Sequence, residues 1–252
     1  MYLGIDLGTS GVKVIILDCH DTLLAQANCS LTSSRPYPLW SEQNPHDWWQ
    51  ATCDAVQQIK LEHPTLLAAV KAVGLSGQMH GATLLDTDNK VIRPAILWND
   101  GRSEAQCKTL EAAQPNSRKI TGNIAMPGFT APKLLWVKEN EPENFSKIAK
   151  VLLPKDYLRF LMTGDFASDM SDSSGTLWLD VANRCWSVPM LAATHLTVSH
   201  MPTLYEGTAI TGNLSTRVAQ AWGLDEVPVV AGAGDNAAGA AGIGVIKPNQ
   251  AF

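Results

Sequence analysis

Apolar and polar residues alternate through the first part of the chain with the two-residue period of half-buried strands. Two such runs, at residues 2–6 and 12–17, flank a small polar turn that contains glycine, and this arrangement predicts a β-hairpin. A third run at residues 23–31 follows after another turn. The chain is therefore predicted to open with an antiparallel meander of three strands.

Beyond the meander, the apolar residues first follow the helical period. Later segments follow either the strand period or the helical period. Apolar residues at i, i+3 and i+4 predict a long helix from Pro45 to about His63. Further strands are predicted at residues 70–76, 82–85, 95–98, 151–153 and 227–231, and further helices at residues 103–113, 132–140, 154–162, 186–194 and 214–222. The sequence shows no internal repeat or low-complexity linker, so it predicts an α/β fold with one main core.

The composition narrows the class of protein. The chain has 252 residues, 45% of them hydrophobic and 17% charged, which predicts a globular protein with a sizeable core. A net charge of −5, without a basic stripe, argues against nucleic acid as a partner. The N-terminus lacks a basic region and no apolar run reaches the length of a membrane span, so no membrane partner is expected and the protein is expected to be cytoplasmic.

The cysteines also favour a reducing compartment. They are odd in number, widely spaced and without a C-x-x-C pair, which disfavours both a disulfide framework and a zinc site. The five residues are Cys19, Cys29, Cys53, Cys107 and Cys185. We expect them to be buried or incidental thiols.

The turn of the first hairpin is the first candidate site. Gly8 and Gly11 allow the backbone to approach an anion closely, while Thr9 and Ser10 add hydroxyl groups. Asp6 ends the preceding strand, where its carboxylate can hold a divalent cation against a phosphate. The alternative is an ordinary hairpin with an aspartate at a strand end, because the D-x-G-x-[ST] pattern is short.

A second candidate lies near the end of the chain, where a buried strand, a glycine-rich turn and a helix of alanine and glycine follow one another at residues 227–244. Asp235 stands at the start of that helix. The alternative is that Asp235 only caps the helix, which is a common role of aspartate. Four glycines within eleven residues destabilise a helix, and close packing or the approach of a ligand would explain them.

Two further corners carry groups suited to a polyol. Residues 77–81 read G-Q-M-H-G directly after a predicted strand, and residues 98–102 read W-N-D-G-R at the end of another. Amide, carboxylate and guanidinium groups bind hydroxyls, and an apolar ring such as Trp98 fits the C–H face of a sugar. The alternatives are a structural role for His80, the commoner state of a lone histidine, and an Asp100–Arg102 pair that caps the next helix.

Residues 154–176 carry charged groups that the sequence does not assign to catalysis. Lys155 and Asp156 open a predicted helix and are expected to form an ordinary first-turn pair. Asp169 and Asp172 are three residues apart, but a calcium loop needs more oxygen ligands at fixed spacing. We therefore expect residues 167–176 to be a turn-dense connection.

The motifs, in this order and with this spacing, resemble the FGGY carbohydrate kinases, and the resemblance covers the whole chain. They are G-I-D-L-G-T-S at 4–10, P-L-W-S-E-Q-N-P at 38–45, G-Q-M-H-G at 77–81, W-N-D-G-R at 98–102, P-K-D-Y-L at 154–158, S-D-M-S-D-S-S-G-T at 168–176 and A-G-A-G-D-N-A-A-G at 231–239. The family implies an α/β fold of ribonuclease-H-like or actin-like ATPase type, in which a mixed sheet with an antiparallel start is flanked by helices.

The resemblance also implies a division into domains. Residues 1–245 are expected to form an N-terminal lobe with the sugar site and the catalytic aspartate. Residues 246–252 are expected to begin the connection to a C-terminal nucleotide-binding lobe, whose phosphate loop and adenine pocket are not recognisable in this sequence. The lobe alone is expected to be inactive, and a homodimer remains an open option.

The reaction that the resemblance implies is ATP-dependent phosphorylation of a pentulose, D-xylulose, to its 5-phosphate, with Mg²⁺ as the metal. Asp235 is implied as the carboxylate that accepts the hydroxyl proton, and Asp6 as the second catalytic carboxylate and the ligand of Mg²⁺. The implied sugar ligands are Met79, His80, Trp98, Asp100 and Asn236. The residues implied to face the γ-phosphate are Gly8, Thr9, Ser10 and Gly11.

Two alternatives and one electrostatic expectation accompany this interpretation. Other FGGY kinases act on glycerol, ribulose or gluconate, and a non-catalytic sugar-binding module is an alternative of a different class. The presence of both Asp6 and Asp235 argues against a pure binder, which has no use for two such carboxylates. Because a helix N-terminus lowers the pKa of a carboxyl, Asp235 is expected to have a lowered pKa and to be ionised at neutral pH.

Overall fold

The computed structural model describes residues 1–247 and 249–251. Two residues of the predicted connecting segment, Pro248 and Phe252, lie outside the described residues. The strands are β1 Tyr2–Leu7, β2 Gly11–Leu17, β3 Leu23–Ser30, β4 Glu42–Gln43, β5 Val73–Gly77, β6 Thr83–Leu85, β7 Ala95–Ile96, β8 Lys150–Leu152, β9 Ala167–Asp169, β10 Leu179–Asp180, β11 Cys185–Trp186, β12 Thr203–Tyr205, β13 Ile210–Asn213, β14 Pro228–Val230 and β15 Ala233–Gly234. The helices are α1 Pro45–Glu62, α2 Pro64–Ala68, α3 Glu104–Ala113, α4 Ser117–Thr121, α5 Thr130–Asn140, α6 Pro142–Phe145, α7 Pro154–Thr163, α8 Met170–Ser174, α9 Val188–Ala193, α10 Thr216–Trp222 and α11 Asp235–Gly242, and a 3₁₀ turn spans Val198–His200.

A mixed sheet of seven strands organises the fold. Its order is β13-β14-β5-β1-β2-β3, and β15 also pairs with β5. β1, β2 and β3 are antiparallel neighbours, so the predicted meander is confirmed. β5 pairs parallel to β1, and β14 and β15 pair parallel to β5. The carboxyl ends of β1, β5 and β15 therefore meet at the same end of the sheet.

One face of this sheet is covered by helices and forms the main core. Leu3, Ile5 and Leu7, the alternate residues of β1, are at most 2% exposed and belong to one buried cluster with residues of α1, α7 and α10. From α1 this cluster takes Trp48 and Ile59, among others, and the apolar stripe of that helix follows the predicted helical period. Removal of these side chains from water is the main term that stabilises the fold.

The opposite face of the same strands is open where β1, β2 and β5 lie side by side. Its residues include Gly4 and Asp6 on β1, Lys13 and Ile15 on β2, and Gly74 and Ser76 on β5. They line a cavity of about 410 Å³. The two-residue alternation of each strand thus separates a buried apolar face from an open face on which Asp6, Lys13 and Ser76 place polar groups beside Ile15.

A second cluster of buried apolar residues lies beside the sheet, and α3, α5, α9 and the paired strands β6 and β8 contribute to it. Ala82 and Ile96, which lie next to the corners after β5 and β7, belong to this cluster. Trp178 is 1% exposed within it and donates its indole hydrogen to the hydroxyl of Thr194. Among the described helices, none combines the length and the apolar character that a bilayer crossing requires.

Residues 167–176 differ most from the prediction. They form strand β9 and helix α8 in place of a turn-dense connection. Asp169 explains the difference, because its carboxylate accepts hydrogen bonds from the N–H groups of Ser171 and Asp172 and so caps the helix. A short segment rich in serine and aspartate therefore has regular structure here.

Smaller differences concern where elements begin. The helix predicted from residue 186 begins at Val188, because Ser187 is its N-cap and Trp186 belongs to the two-stranded sheet of β10 and β11. The strand predicted from residue 70 begins at Val73. The long first helix was predicted at the right place and ends one residue earlier, at Glu62.

Candidate active site

Asp6 and Asp235 lie at the same end of the sheet, at the ends of the two strands that flank β5, although nearly the whole chain separates them in sequence. Asp6 pairs with Ser76 of β5 in the register of the sheet, and Ser76 pairs with Ala233 of β15. Asp235 comes directly after β15. Since adjacent strands are about 4.8 Å apart, only two strand spacings separate these positions. The hydroxyl of Ser76 donates a hydrogen bond of 2.6 Å to the carboxylate of Asp6.

Asp235 is the first residue of α11, and Gly234 is the N-cap of that helix, so the alternative in which Asp235 serves only as the N-cap is not the arrangement found. The carboxylate of Asp235 accepts a hydrogen bond of 2.7 Å from the N–H of Asn236. Burial raises the pKa of Asp235 above its usual value, and the nearby negative charge of Asp6 raises it further. The predicted lowering of this pKa is therefore wrong, because these two effects outweigh the hydrogen bond from Asn236.

The glycine-rich turn before Asp235 has its composition because it passes very close to β5. Gly232 has a φ of +83°, a left-handed conformation that favours glycine. An added Cβ at Gly232 would overlap the carbonyl group of Leu75. The turn can therefore reach the end of β5, and so deliver Asp235, only with glycine at this position.

The first hairpin turn is closed by a hydrogen bond of 3.0 Å from the N–H of Gly8 to the carbonyl of Gly11. The hydroxyl of Thr9 donates to the side-chain carbonyl of Gln78 at 3.0 Å and accepts a bond of 2.9 Å from the indole nitrogen of Trp98. Because its one hydrogen is used in this way, the Thr9 hydroxyl is not a free donor for a phosphate. The hydroxyl of Ser10 is on an exposed residue at the same turn.

Two buried glutamines fasten this turn to the rest of the lobe. Gln43, 3% exposed, donates its amide to the carbonyl of Thr9 at 2.7 Å. The side-chain oxygen of Gln43 accepts from the amide of Gln78 at 3.0 Å and from the indole of Trp48 at 2.8 Å. A continuous chain of hydrogen bonds therefore runs from α1, through both glutamines, to Thr9 and Trp98. The sequence analysis placed Gln78 in a corner suited to a polyol without giving it a role of its own, and it did not identify Gln43.

His80 is held in one orientation by its backbone and by its ring. Its φ is +66°, and its carbonyl accepts hydrogen bonds from the ammonium group of Lys133 at 2.8 Å and from the hydroxyl of Thr130 at 3.2 Å. The ring Nδ1 lies 2.7 Å from the carbonyl of Gly175, and the ring meets Phe129 edge to face. Burial lowers the pKa of His80 to about 4, so the ring is neutral at pH 7. A neutral ring that donates from Nδ1 to Gly175 has Nε2 as its acceptor.

Glycine at position 175 is what allows this arrangement, since an added Cβ there would overlap the His80 ring.

The sequence analysis also missed Lys133, whose ammonium group donates a hydrogen bond to the His80 carbonyl. Lys133 is fully buried on α5, and burial lowers its pKa to about 7. A signal was present in the sequence, because a lysine between apolar residues on the buried side of a helix needs a polar partner in the interior.

His80 and Trp98 share a cavity of about 450 Å³ with Leu39, Met126, Phe129 and the segment around Asp100. This volume suits a small sugar. Trp98 is 48% exposed, so one side of its ring is available to a ligand.

The carboxylate of Asp100 lies beside this cavity but is fully buried and bonded on both oxygens. Its donors are the N–H of Ser41 at 2.6 Å, the N–H of Arg102 at 2.9 Å and the guanidinium group of Arg102 at 2.7 Å. Arg102 in turn stacks on Trp40, with 3.5 Å from its guanidinium carbon to the ring centroid. The role of Asp100 as a direct sugar ligand stays a prediction, and its carboxylate would have to release one of these donors to bind a hydroxyl.

Met79 connects the sugar corner to the turn that carries Asp235. An added Cβ at Gly234 would lie 2.9 Å from Cγ of Met79, and the amide of Asn236 lies 4.0 Å from the sulfur of Met79. The structure therefore brings together Met79, His80 and Asn236 on one side, next to Asp235.

Asp6 faces the cavity on the open side of the sheet, together with Lys13. The hairpin register pairs Lys13 directly with Asp6, so both side chains lie on the same face. The sequence analysis missed Lys13, although counting back from the turn places it opposite Asp6. Among the described residues no group of three or more histidine, cysteine or acidic side chains could hold a metal ion. Mg²⁺ is commonly held by one or two carboxylates together with substrate phosphates, and Asp6 fits that role.

The fold and the two carboxylates define the class of protein. An antiparallel meander continues into parallel strands, and carboxylates lie at two strand ends. This is the arrangement of a lobe of the actin-like phosphotransferase fold. A family model described as "FGGY family of carbohydrate kinases, N-terminal domain" matches residues 1–242. The chain therefore belongs to the FGGY family of carbohydrate kinases.

Individual relatives agree with this assignment. The chain is 62% identical to the xylulose kinase of Escherichia coli (strain K12) over 252 residues, which are 100% of this chain and 52% of that protein. It is 42% identical to the xylulose kinase of Bacillus subtilis (strain 168) over 256 residues, which cover 98% of this chain and 50% of that protein. The chain thus spans about half the length of the curated relatives that it matches.

Solved structures show the same fold. A structure described as a "xyloylose kinase" from Brucella ovis superposes with a TM-score of 0.96 at 52% identity and covers 98% of this chain and 51% of its own. The xylulose kinase from Rhodospirillum rubrum gives a TM-score of 0.92 at 27% identity, again over 98% of this chain and 51% of its own. The predicted actin-like α/β fold is confirmed.

Proposed function

We propose that this chain is the N-terminal lobe of a kinase that transfers the γ-phosphoryl group of ATP to D-xylulose and forms D-xylulose 5-phosphate. The observation that carries the proposal is the position of Asp6 and Asp235 at the same end of the sheet, on the two strands that flank β5, where the charge of Asp6 acts on Asp235. The names of the relatives from Escherichia coli and Bacillus subtilis support the choice of xylulose. Because those relatives are about twice as long, the activity is proposed for the complete protein.

Asp235 acts on the attacking hydroxyl of the sugar. As the oxygen–phosphorus bond to the sugar forms and the bond to the leaving ADP breaks, the hydroxyl proton passes to the carboxylate of Asp235. The raised pKa of Asp235 makes this carboxylate a somewhat better proton acceptor than an ordinary aspartate. The geometry of the turn matters as much, because in-line placement supplies a large part of the rate.

The phosphate side of the site lies on the open face of the sheet. Asp6 would hold Mg²⁺, whose charge would neutralise the phosphates of ATP when both are bound. The turn from Gly8 to Gly11 offers backbone N–H groups and the hydroxyl of Ser10, while Thr9 keeps the turn in place through its bonds to Gln78 and Trp98. Lys13 adds a positive charge beside Asp6 and suits a phosphate oxygen.

The sugar side is built from groups that the lobe itself fixes. Nε2 of His80 accepts a hydrogen bond from a sugar hydroxyl, and the amide of Asn236 binds another. Trp98 and Met79 pack against the carbon skeleton. Asp100 orients this region through Arg102 and Ser41, and its direct contact with the sugar remains a prediction.

The proposal includes the partner and the surroundings of the lobe. A second lobe, joined after about residue 245, supplies the adenine pocket, and the isolated chain is inactive without it. The chain carries five free cysteines and uses ATP, which favours the cytoplasm. A homodimer of the complete protein remains an option, and no nucleic acid or membrane takes part.

Asp235→Asn in the complete protein tests the catalytic role. We expect kcat to fall by about a hundredfold or more, because proton transfer to a positioned group contributes about 10² to 10⁴ in rate. The dissociation constant for D-xylulose should change by less than about threefold, since the amide keeps the size of the side chain and most of its packing. Asp225→Asn, an exposed aspartate with the same change of charge, is the matched control.

Parallel losses of turnover and of sugar binding in Asp235→Asn would instead indicate a structural role for Asp235.

A substrate panel of D-xylulose, ribulose, glycerol and gluconate tests the choice of sugar. A clear preference for one of the other three would keep the kinase and replace the substrate. Sugar binding without ATP turnover in the complete wild-type protein would favour the non-catalytic binding module.

A further inference from the structure

Lys155, Asp156, Asp169 and Asp172 form a buried group of charges next to the turn that carries Asp235, and we name it the Lys155 cluster. Lys155 is 0% exposed. Its ammonium group lies 2.5 Å from Asp156, 2.8 Å from Asp169 and 3.3 Å from Asp172. The expected first-turn pair of Lys155 and Asp156 is therefore part of a larger interior arrangement, in which lysine is the cation that the aspartates surround.

Three carboxyl groups face the single ammonium group of the cluster, and the buried guanidinium group of Arg159 lies within electrostatic reach of Asp156. Burial opposes the charge on Lys155, but Asp156, Asp172 and Asp169 outweigh it and raise the pKa of Lys155 above its usual value. Burial raises the pKa of Asp172 well above the usual range for aspartate, and the neighbouring carboxylates add to this effect. Buried ion pairs gain little net stability, because desolvation offsets their attraction. Their presence here therefore points to a role besides packing.

Ser171 links the cluster to the turn before Asp235. Its hydroxyl donates a hydrogen bond of 2.5 Å to the carboxylate of Asp169 and accepts one of 3.2 Å from the N–H of Gly234. The N–H of Ser171 donates to the same carboxylate oxygen at 2.7 Å. The orientation of the hydroxyl is fixed as a result, with its hydrogen towards Asp169 and a lone pair towards Gly234.

Gly234 is confined on its other sides as well. It pairs with Gly77 of β5, and Met79 packs against it so closely that an added Cβ would lie 2.9 Å from Cγ of Met79. Gly77 itself lies on Lys155, since an added Cβ at Gly77 would be 3.2 Å from Cβ of that lysine. Ser171 adds a side-chain hydrogen bond to this backbone packing at the residue that precedes Asp235.

We propose that Ser171, fixed by Asp169 and through it by Lys155, is a positioning residue that sets the placement of Asp235 for proton transfer. The proposal deepens the proposed function and rests on it for the catalytic consequence. Ser171 touches neither the sugar nor ATP in this account. Its loss should therefore reduce kcat and leave the affinity for both substrates nearly unchanged.

The test compares Ser171→Ala, Ser171→Thr and Ser174→Ala in the complete protein. Ser174 is the matched control, because it lies on the same short helix and its hydroxyl bonds within that helix, to the carbonyl of Ser171. We expect Ser171→Ala to lower kcat by about tenfold or more at nearly constant KM for both substrates, since small misplacements of a catalytic group are costly. Ser171→Thr keeps the hydroxyl and should recover most of the loss, and Ser174→Ala should behave like the wild type.

Hydrogen exchange of the Gly234 amide provides a readout that does not depend on activity. In Ser171→Ala this amide should exchange at least several-fold faster, while the amides of β1 keep their wild-type rates. An unchanged kcat in a folded Ser171→Ala protein, or an unchanged exchange rate at Gly234, would overturn the proposal. If the complete wild-type protein showed no kinase activity, the proposed function would fail, whereas the exchange measurement would still decide whether Ser171 holds the turn.

Discussion

The indole nitrogen of Trp98 donates a 2.9 Å hydrogen bond to the hydroxyl of Thr9. Trp98 forms part of the sugar cavity, and Thr9 lies in the turn that is proposed to face the phosphate. The same hydroxyl donates to Gln78, which is 1% exposed and directly precedes Met79 and His80. The two halves of the site are therefore joined by a direct hydrogen bond between side chains. A change in the sugar half should alter the binding of ATP, and a change in the phosphate half should alter the binding of the sugar.

Trp98→Phe tests this connection, because phenylalanine keeps an apolar ring but removes the indole N–H. We expect the KM values for sugar and for ATP both to rise, each by about fivefold, which corresponds to about 1 kcal/mol for one hydrogen bond. Thr9→Val should have a similar effect on both constants, and the double variant should lose less than the sum of the two single changes.

The control for this prediction is Trp186→Phe, which removes the bond from another indole nitrogen to the carbonyl of Pro202 and leaves Thr9 and Trp98 unchanged. Steady-state kinetics of the complete protein supply all the constants. An effect of Trp98→Phe on the sugar constant alone, with full additivity in the double variant, would contradict the connection.

The buried ring of His80 predicts how stability depends on pH. In the unfolded chain the ring gains a proton as the pH falls through about 6.5, whereas in the folded lobe it does so only near pH 4. The unfolded state therefore binds more protons between these values, and the free energy of unfolding should fall as the pH is lowered. From pH 7 to pH 5 the contribution of this ring is about 2 kcal/mol.

Urea unfolding of the wild type and of His80→Gln at both pH values measures this contribution, because the variant lacks the titrating ring. The exposed His46→Gln is the control and should keep the wild-type dependence, since His80 is still present. An NMR titration of the His80 ring gives a second measurement that does not require a folded variant. A ring that titrates near pH 6.5 in the folded protein would show that the histidine is not held neutral.

Lys155→Met removes the cation of the Lys155 cluster and leaves three buried carboxylates. We expect the free energy of unfolding at pH 7 to fall by more than about 3 kcal/mol, because the buried carboxyl groups lose the one ammonium group that contacts all three of them. Carboxylates with raised pKa values take up protons more readily in the folded state, so the loss should shrink as the pH falls from 7 to 5.

Lys71→Met, at an exposed position, is the control for the loss of one positive charge. Urea unfolding followed by circular dichroism measures both variants. Equal stability of Lys155→Met and the wild type at pH 7 would show that the cluster does not depend on its lysine.

Much of the fold follows from local patterns in the sequence. The meander of β1 to β3 and the long helix α1 have clear periods, and both were predicted close to their observed limits. The pairing of β15 with β5 could not be predicted in this way, because β15 has two residues and its register is fixed by distant neighbours. Its position is nevertheless what brings Asp235 to the end of β1.

The candidate site was predictable in its motifs and not in its supporting contacts. Asp6 and Asp235 stand in recognisable glycine-rich segments, so the sequence pointed to them. Lys155 did not stand out, because a lysine in the first turn of a helix is compatible with an exposed position until its surroundings are known. The place of Lys133 between apolar residues was a signal of burial, but it gave no indication of which carbonyl groups the lysine would contact. The pKa of Asp235 was predicted in the wrong direction, since the partial burial of its carboxylate, and to a lesser degree the nearby charge of Asp6, arise only in the folded sheet.

The place of β5 at the middle of the sheet has a consequence for the synthesis of the protein. Its outer partners, β14 and β15, leave the ribosome long after β5, because they begin only at Pro228 and Ala233. Until then the nascent lobe exposes an unpaired strand edge with unsatisfied backbone groups, which is a template for association with other chains. Chaperone capture or aggregation should therefore be most pronounced for nascent chains that end before residue 228.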